Sequence, residues 1–307
     1  MLYVSKNIKE NAEELISASD RRFDEELKRI AHGITAGTSD GRQVKFITLC
    51  GPSCAGKTTT SKKLVEEIEA SGRRIHAVSI DDYYLPRDLL EERAGENDID
   101  LESPHTINTD DLALTLGEIF AGKKEIKLPV FDFESGKRNS YRTINVSDDD
   151  VFIFEGIQAM YENVSVLFKG YPVAGVFINV MQGINAEGTI FAPNRIRLMR
   201  RLVRDFYKRG ADAQLTFELW KNVRKNEDVN IFPMSSNADY VIDSVMPYEL
   251  GILKNYINDI LDSGEIEDRF APVVEDIVKS MEDVTPIPVG LIGKDSLYNE
   301  FVGFAHE

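Results

Sequence analysis

Gly51-Pro52-Ser53-Cys54-Ala55-Gly56-Lys57-Thr58 fits the pattern G-x-x-x-x-G-K-[ST], and the elements that pattern requires stand on either side of it. Ahead runs Lys45-Phe46-Ile47-Thr48-Leu49-Cys50, short, apolar and β-prone; behind, Leu64, Val65 and Ile68 recur at helix spacing. Strand, glycine loop and helix together read as a phosphate-binding loop. Gly51 and Gly56 let backbone N–H groups turn onto phosphate oxygens, and the helix opening near Lys57 adds its positive dipole end. Gly51, Ser53, Ala55, Gly56, Lys57, Thr58 and Thr59 are therefore the residues expected to hold ATP. Lys57 reaches for the β- and γ-phosphates, and the Thr58 hydroxyl for Mg2+.

A chain of 307 residues can bury a substantial core, and it reads as one large α/β unit with appendages. The expected division is an N-terminal helix and loop over 1–40, a nucleotide-binding core over 41–262, and a helical extension over 263–307 that packs on the core. That extension is apolar enough to meet a second copy as well, so a homo-oligomer is open. The net charge of −16 argues against nucleic acid or an anionic membrane as the main partner. Cys50 and Cys54 are four positions apart across the loop, where a disulfide would distort it, so both read as reduced thiols of a cytoplasmic protein. Cys54, beside a helix N-terminus, is either a small loop residue, the simpler reading, or a reactive thiol. No run approaches the roughly 20 apolar residues of a membrane span, and the N-terminus lacks a signal-peptide core.

Residues 1–33 read as a helix with Leu15, Ile16, Ser19, Phe23, Leu27 and Ile30 on one face, and Gly33 to Gly41 as a loop. A second strand, Arg74 to Ile80, ends in Asp81-Asp82-Tyr83-Tyr84, where open parallel sheets bind ligands; a turn or cap built of aspartates explains the pair equally well. Residues 85–108 are polar and irregular, a solvated loop or a flap, before Thr109-Asp110-Asp111 caps a helix carrying Leu112, Leu114, Leu116 and Ile119. Lys127 to Glu134 is extended and aromatic. A third strand, Val151 to Phe154, ends at Glu155, a carboxylate placed to meet a metal beside the phosphate loop; Val173–Val180 and Asp239–Asp243 supply a fourth and fifth. Helices between strands predict a three-layer, mostly parallel sheet of the P-loop NTPase type.

Arg197, Arg200, Arg201 and Arg204 stand at i, i+3, i+4 and i+7, a positive stripe in an acidic chain. A surface helix pairing with local acids would show the same pattern. Beside a phosphate loop the stripe reads as a lid, about 190–212, closing over triphosphate, with Gly210 as its stop or hinge.

Taken in order, GPSCAGKT at 51–58, SIDDYY at 79–84, PVFDFESGKR at 129–138, FEGI at 154–157 and RLMRRLVRD at 197–205 resemble the uridine kinase and phosphoribulokinase family. The stretch from Trp220 through Asn230-Ile231-Phe232-Pro233 to Tyr248-Glu249-Leu250 is similar to bacterial uridine kinase-like proteins that often carry a TGS domain, for which there is no room here. The resemblance implies an ATP- and Mg2+-dependent kinase acting on a small-molecule hydroxyl. It implies Asp81 as catalytic base and metal neighbour, with Lys57 and Arg200 catalytic and Thr58 and Glu155 at the metal. It further implies Arg197, Arg201 and Arg204 on ATP, and Tyr84, Glu102, Phe131 and Arg200 around the acceptor, with Asp100 an alternative to Glu102.

One departure bears on the acceptor. Where pyrimidine nucleoside kinases carry a tyrosine and a histidine that read the base, this chain has Phe131 and Gly136, which offer no side-chain hydrogen bond. The expected acceptor is the 5′-hydroxyl of a nucleoside, with a sugar or polyol, as for phosphoribulokinase, as the alternative. A slow nucleotide-hydrolysing switch is a further reading from another class, distinguished by turnover independent of acceptor. No N-K-x-D motif favours GTP, so ATP is the expected donor.

Overall fold

The computed structural model describes residues 1–4, 6–95 and 99–303. Its centre is a wholly parallel five-stranded sheet in the order β10-β7-β2-β6-β3. The strands are β2 (Phe46–Cys50), β3 (Ile75–Ser79), β6 (Val151–Glu155), β7 (Val173–Asn179) and β10 (Tyr240–Asp243). Alternation along each strand divides the core in two. Ile47, Leu49, Ile153 and Ile178 face one side, where they meet α1 (Ala12–Ala36), α2 (Lys57–Ala70), α6 (Pro193–Arg209), α7 (Ala213–Asn226) and α9 (Glu249–Asp262). Phe46, Cys50, Phe152, Phe154 and Phe177 face the other, against Leu112, Leu116 and Ile119 of α4 (Thr109–Phe120). Strands buried on both faces read as continuous apolar runs, which is why β2 and β6 were legible from composition alone.

Several elements depart from expectation. The first residues form a strand, β1 (Leu2–Val4), and a 3-10 turn before α1 begins. β1 joins β8 (Ile184–Ala186) and β9 (Thr189–Phe191) in a small separate sheet. Helix α1 continues through Gly33 to Ala36, because a Cβ at Gly33 would meet the Tyr240 hydroxyl at 2.5 Å and glycine lets helix and strand approach. The polar stretch after Tyr84 contains a short helix, α3 (Arg87–Ala94), anchored by buried Leu90; Glu96 and Asp98 of that stretch lie outside the described residues. Asn108, not Thr109, caps α4, its side chain accepting the Asp111 N–H at 3.1 Å, and Leu114 is exposed. The aromatic segment is β4 (Glu125–Asp132), which pairs antiparallel with β5 (Lys137–Asn145) as a hairpin outside the main sheet. Two short helices, α5 (Glu162–Ser165) and α8 (Phe232–Ser235), connect later strands.

Beyond α9, α10 (Ala271–Met281) and α11 (Asn299–Val302) follow, and Ile277, Met281, Ile287, Leu297, Tyr298 and Phe301 enter the same apolar core as the sheet. Among the described residues no helix is long and apolar enough to cross a membrane.

Candidate functional site

Parallel pairing brings three strand ends to one edge of the sheet. Cys50 leads into the phosphate loop, Ser79 into a 3-10 turn bearing Asp81 and Asp82, and Glu155 closes β6, set in register with both Leu49 and Ser79. Because β2 is flanked by β6 and β7, the crevice beside it is the place where such sheets bind ligands.

Within the loop, Cys54 and Gly56 both take left-handed backbone angles, φ 57° and 97°. A Cβ at Gly56 would also stand 2.6 Å from Leu297 Cδ1, so glycine is required there by both conformation and space. The Lys57 ammonium donates to the Pro52 carbonyl at 3.1 Å, folded over the loop it serves. Thr58 is exposed and opens on the cleft. Both cysteines are free and buried; burial pushes the Cys50 thiol up to about 11, although Lys57 pulls in the other direction.

The two aspartates part company. Asp82 Oδ1 accepts the Phe131 N–H at 3.0 Å and so ties the hairpin to the turn. Asp81 instead stands beside Lys57: burial raises its carboxyl above the ordinary range, Lys57 offsets part of that, and Asp82 adds to it. Glu155 is likewise raised by burial, eased by Lys57 and opposed by Asp81. Gly156 makes their proximity feasible, since a Cβ there would lie 2.9 Å from Ile80 Cβ and 3.6 Å from Asp81 Oδ1. Two half-buried carboxylates and the Thr58 hydroxyl make an all-oxygen donor set, which suits Mg2+ held jointly with phosphate oxygens. Among the described residues no cluster of three or more His, Cys, Asp or Glu would hold a metal by itself.

Among the residues expected around the acceptor, Tyr84 and Phe131 form with Phe133 an edge-to-face aromatic group with ring centroids 5.1–6.1 Å apart. The Tyr84 hydroxyl donates to the Leu101 carbonyl at 3.0 Å. Gly136 adopts φ 67° and a Cβ there would reach within 2.6 Å of Arg87 Cβ, so Arg87 fills the place that a base-reading side chain would need. Glu102, raised by burial, accepts from Asn226 Nδ2 at 3.2 Å, and Arg201 also favours its charged form. Asp100 instead accepts the Glu102 N–H at 3.1 Å in its own turn. Asn226 also donates to the Tyr161 hydroxyl at 2.6 Å and precedes a π-turn, Glu227–Ile231, a local irregularity that often marks functional sites. Neither Asn226 nor Tyr161 was singled out from the sequence; an asparagine on a helical pattern carries no signal until the fold sets it against Glu102.

The arginine helix is a core helix, and its guanidinium groups do not lie along an exposed stripe. Arg197 is buried and binds Glu227 in a fork at 2.5 and 2.7 Å, also donating to the Ser53 carbonyl at 3.1 Å. Arg200, fully buried, forks onto Glu249 at 2.6 and 3.0 Å, donates to the Cys54 carbonyl at 3.2 Å, and bonds the Ser244 hydroxyl and carbonyl. Every N–H of Arg200 is thereby engaged. Arg201 bonds Asp205 and the Ser53 hydroxyl, and Arg204 bonds Asp205 at 2.6 and 2.8 Å. What the helix offers the cleft is Arg204, Lys208 and Arg209. With Lys62, Lys63 and Lys294 they line a cavity of about 470 Å³ opening on Thr58 and Thr59, against the acids Glu66, Asp295 and Glu300. Glu227 and Glu249, the carboxylates that neutralise the arginines, were missed as partners because they lie 30 and 49 positions away in the chain.

A family model described as "Phosphoribulokinase / Uridine kinase family" matches residues 46–250. A uridine kinase of Ureaplasma urealyticum serovar 10 is 25% identical over 218 residues, 70% of this chain and 96% of that one. A uridine kinase of Saccharomyces cerevisiae is 26% identical over 253 residues, 77% of this chain but 46% of the yeast protein, so the chain spans about half of that relative. Among solved structures, a Silicibacter sp. TM1040 protein provisionally assigned as a fructose transport system kinase superposes with TM-score 0.50 at 17% identity, covering 70% of this chain and 98% of its own, a likeness of fold alone. The matched span runs from the first strand of the phosphate loop through Asp81, Glu155 and the arginine helix to Leu250, and the chain belongs to the phosphoribulokinase / uridine kinase family.

Proposed function

We propose that the protein transfers the γ-phosphate of ATP, bound with Mg2+, to a hydroxyl of a small molecule. The observation that carries this reading is Asp81: a carboxylate raised by burial, beside Lys57, at the strand end next to the phosphate loop. Its roles follow from that position. Asp81 accepts the proton of the acceptor hydroxyl as the oxygen attacks the γ-phosphorus, the bond to the β–γ bridging oxygen breaks, and ADP leaves. Lys57 neutralises the β- and γ-phosphates; Thr58 and Glu155 would hold Mg2+, which would supply further charge neutralisation to the triphosphate. Arg204 is assigned to the cleft, whereas Arg200, with its donors engaged by Glu249, Cys54 and Ser244, is assigned to bracing the loop.

For the acceptor, the Glu102–Asn226 pair suits vicinal hydroxyls, and the first compound class to test is a nucleoside phosphorylated at its 5′-hydroxyl. A sugar or polyol is the second reading, favoured by Phe131 and Gly136, neither of which offers a side-chain hydrogen bond to a base. The protein, ATP and Mg2+ incubated with nucleosides, pentoses, hexoses and polyols should release ADP only with one acceptor class. ADP release at one rate with and without every acceptor would mean hydrolysis and overturn the proposal.

A further inference from the structure

The nucleotide cleft already contains an anion. Thr59 is the third residue of α2, so its N–H has no partner within the helix and points, with the loop amides, to where a nucleotide phosphate sits. That N–H donates to Glu300 Oε2 at 3.0 Å, across 241 positions of sequence. The carboxylate comes from a built wall of the cleft. Leu297 packs on Gly56, and Tyr298 and Phe301 are fully buried, their rings 5.7 and 4.7 Å from the Arg200 guanidinium. Ser296 donates to Asp20 at 2.9 Å, and Lys208 Nζ donates to the Asn299 and Glu300 carbonyls at 2.9 and 3.2 Å. Held in this way, Glu300 adds negative charge next to Glu155, whose carboxyl it helps to raise, after burial and Asp81.

We propose that Glu300 is a resident competitor for the nucleotide: its carboxylate occupies a phosphate position at the Thr59 amide, and ATP binds only as that side chain turns away. This inference rests on the phosphate loop being the ATP site. One N–H serves one anion well, and a carboxylate left near a triphosphate is repelled by it, so apparent affinity is reduced by the fraction of molecules with the amide vacant. Such a contact holds the site closed at low nucleotide and ties ATP binding to movement of a single side chain on the C-terminal segment.

The test is calorimetric titration of ATP, inorganic tripolyphosphate and adenosine into the unmodified protein, Glu300→Ala and Glu300→Gln, with thermal unfolding of each. Glu300→Ala should bind ATP and tripolyphosphate about tenfold more tightly, a coupling of ordinary size. Its adenosine affinity should not change, and its melting temperature without ligand should not rise. Glu300→Gln, whose amide oxygen still accepts from Thr59, should fall between. Equal or weaker tripolyphosphate binding by a folded Glu300→Ala would overturn the inference, making Glu300 a nucleotide ligand or a plain helix cap. No binding of ATP or tripolyphosphate to any of the three proteins would overturn the kinase reading itself.

Discussion

Two groups of buried charge flank the phosphate loop, and they are balanced in opposite ways. On one side Arg197 and Arg200 are matched charge for charge: forked carboxylates from Glu227 and Glu249, loop carbonyls from Ser53 and Cys54, and aromatic faces from Trp220, Tyr298 and Phe301. On the other side Asp81 and Glu155 share the field of one lysine, oppose each other, and sit above their ordinary carboxyl range through burial. Matched charge is scaffold, because each guanidinium is already neutralised by its own carboxylate. Under-matched charge is a site, because a cation, an incoming phosphate with its metal, or a proton relieves it. Residue type does not separate the two, since arginines were the more conspicuous candidates in the sequence.

The comparison is broken most severely at Asp81. Asp81→Asn should lower turnover by about 10²- to 10⁴-fold, as loss of a general base does, while ATP affinity by titration stays nearly constant. A parallel loss of ATP affinity would make Asp81 chiefly a metal or structural group. The same substitution should not lower the melting temperature at neutral pH. A carboxyl whose folded pKa lies above its unfolded value of 3.8 contributes stability below that value and loses it as pH rises through the folded pKa, so ionised Asp81 is a burden at pH 7.

Next in size is the matched side. Arg200→Ala leaves Glu249 buried and unpaired and should cost about 3–5 kcal/mol in denaturant unfolding. The double variant Arg200→Met with Glu249→Leu should recover much of that stability and retain measurable turnover. A double variant that folds but is inactive would return Arg200 to the reacting phosphate. A smaller effect sharpens the comparison through pH. The acid limb of kcat/KM should fall above the ordinary aspartate value of 3.8, because Asp81 must be ionised to act and burial raises it. A limb at or below that value would mean that the base titrates as an exposed carboxyl. Smallest is Gly136→Ala, which forces a side chain to φ 67° against Arg87 and should cost about 1–2 kcal/mol by thermal unfolding, with little change in ATP affinity.

Much of the molecule was legible before folding. The five core strands stand where apolar runs put them; in the central β2, β6 and β7 burial on both faces leaves no polar alternation to confuse the pattern. Asp81 and Glu155 were visible as acids closing such runs. The antiparallel hairpin was half seen: Lys137–Asn145 is largely exposed and polar, so β5 carries no burial signal and exists through pairing with β4. The small sheet of β1, β8 and β9 escaped for a related reason, since its strands have three residues each and β1 depends on a partner about 180 positions away.

The sequence by itself determined the phosphate loop, the parallel sheet behind it and the acids at its edge. Each of these depends on short-range regularities: a glycine spacing, a hydrophobic period, a terminal residue. Tertiary structure alone decided which charges are free to act. It buried Arg197 and Arg200 against distant glutamates, gave Asp82 to the hairpin and left Asp81 beside Lys57, joined Glu102 to Asn226, and laid Glu300 on the Thr59 amide. The physical reason is that desolvation and pairing belong to three-dimensional neighbours, and a string of residues states which charges exist without stating which are neutralised.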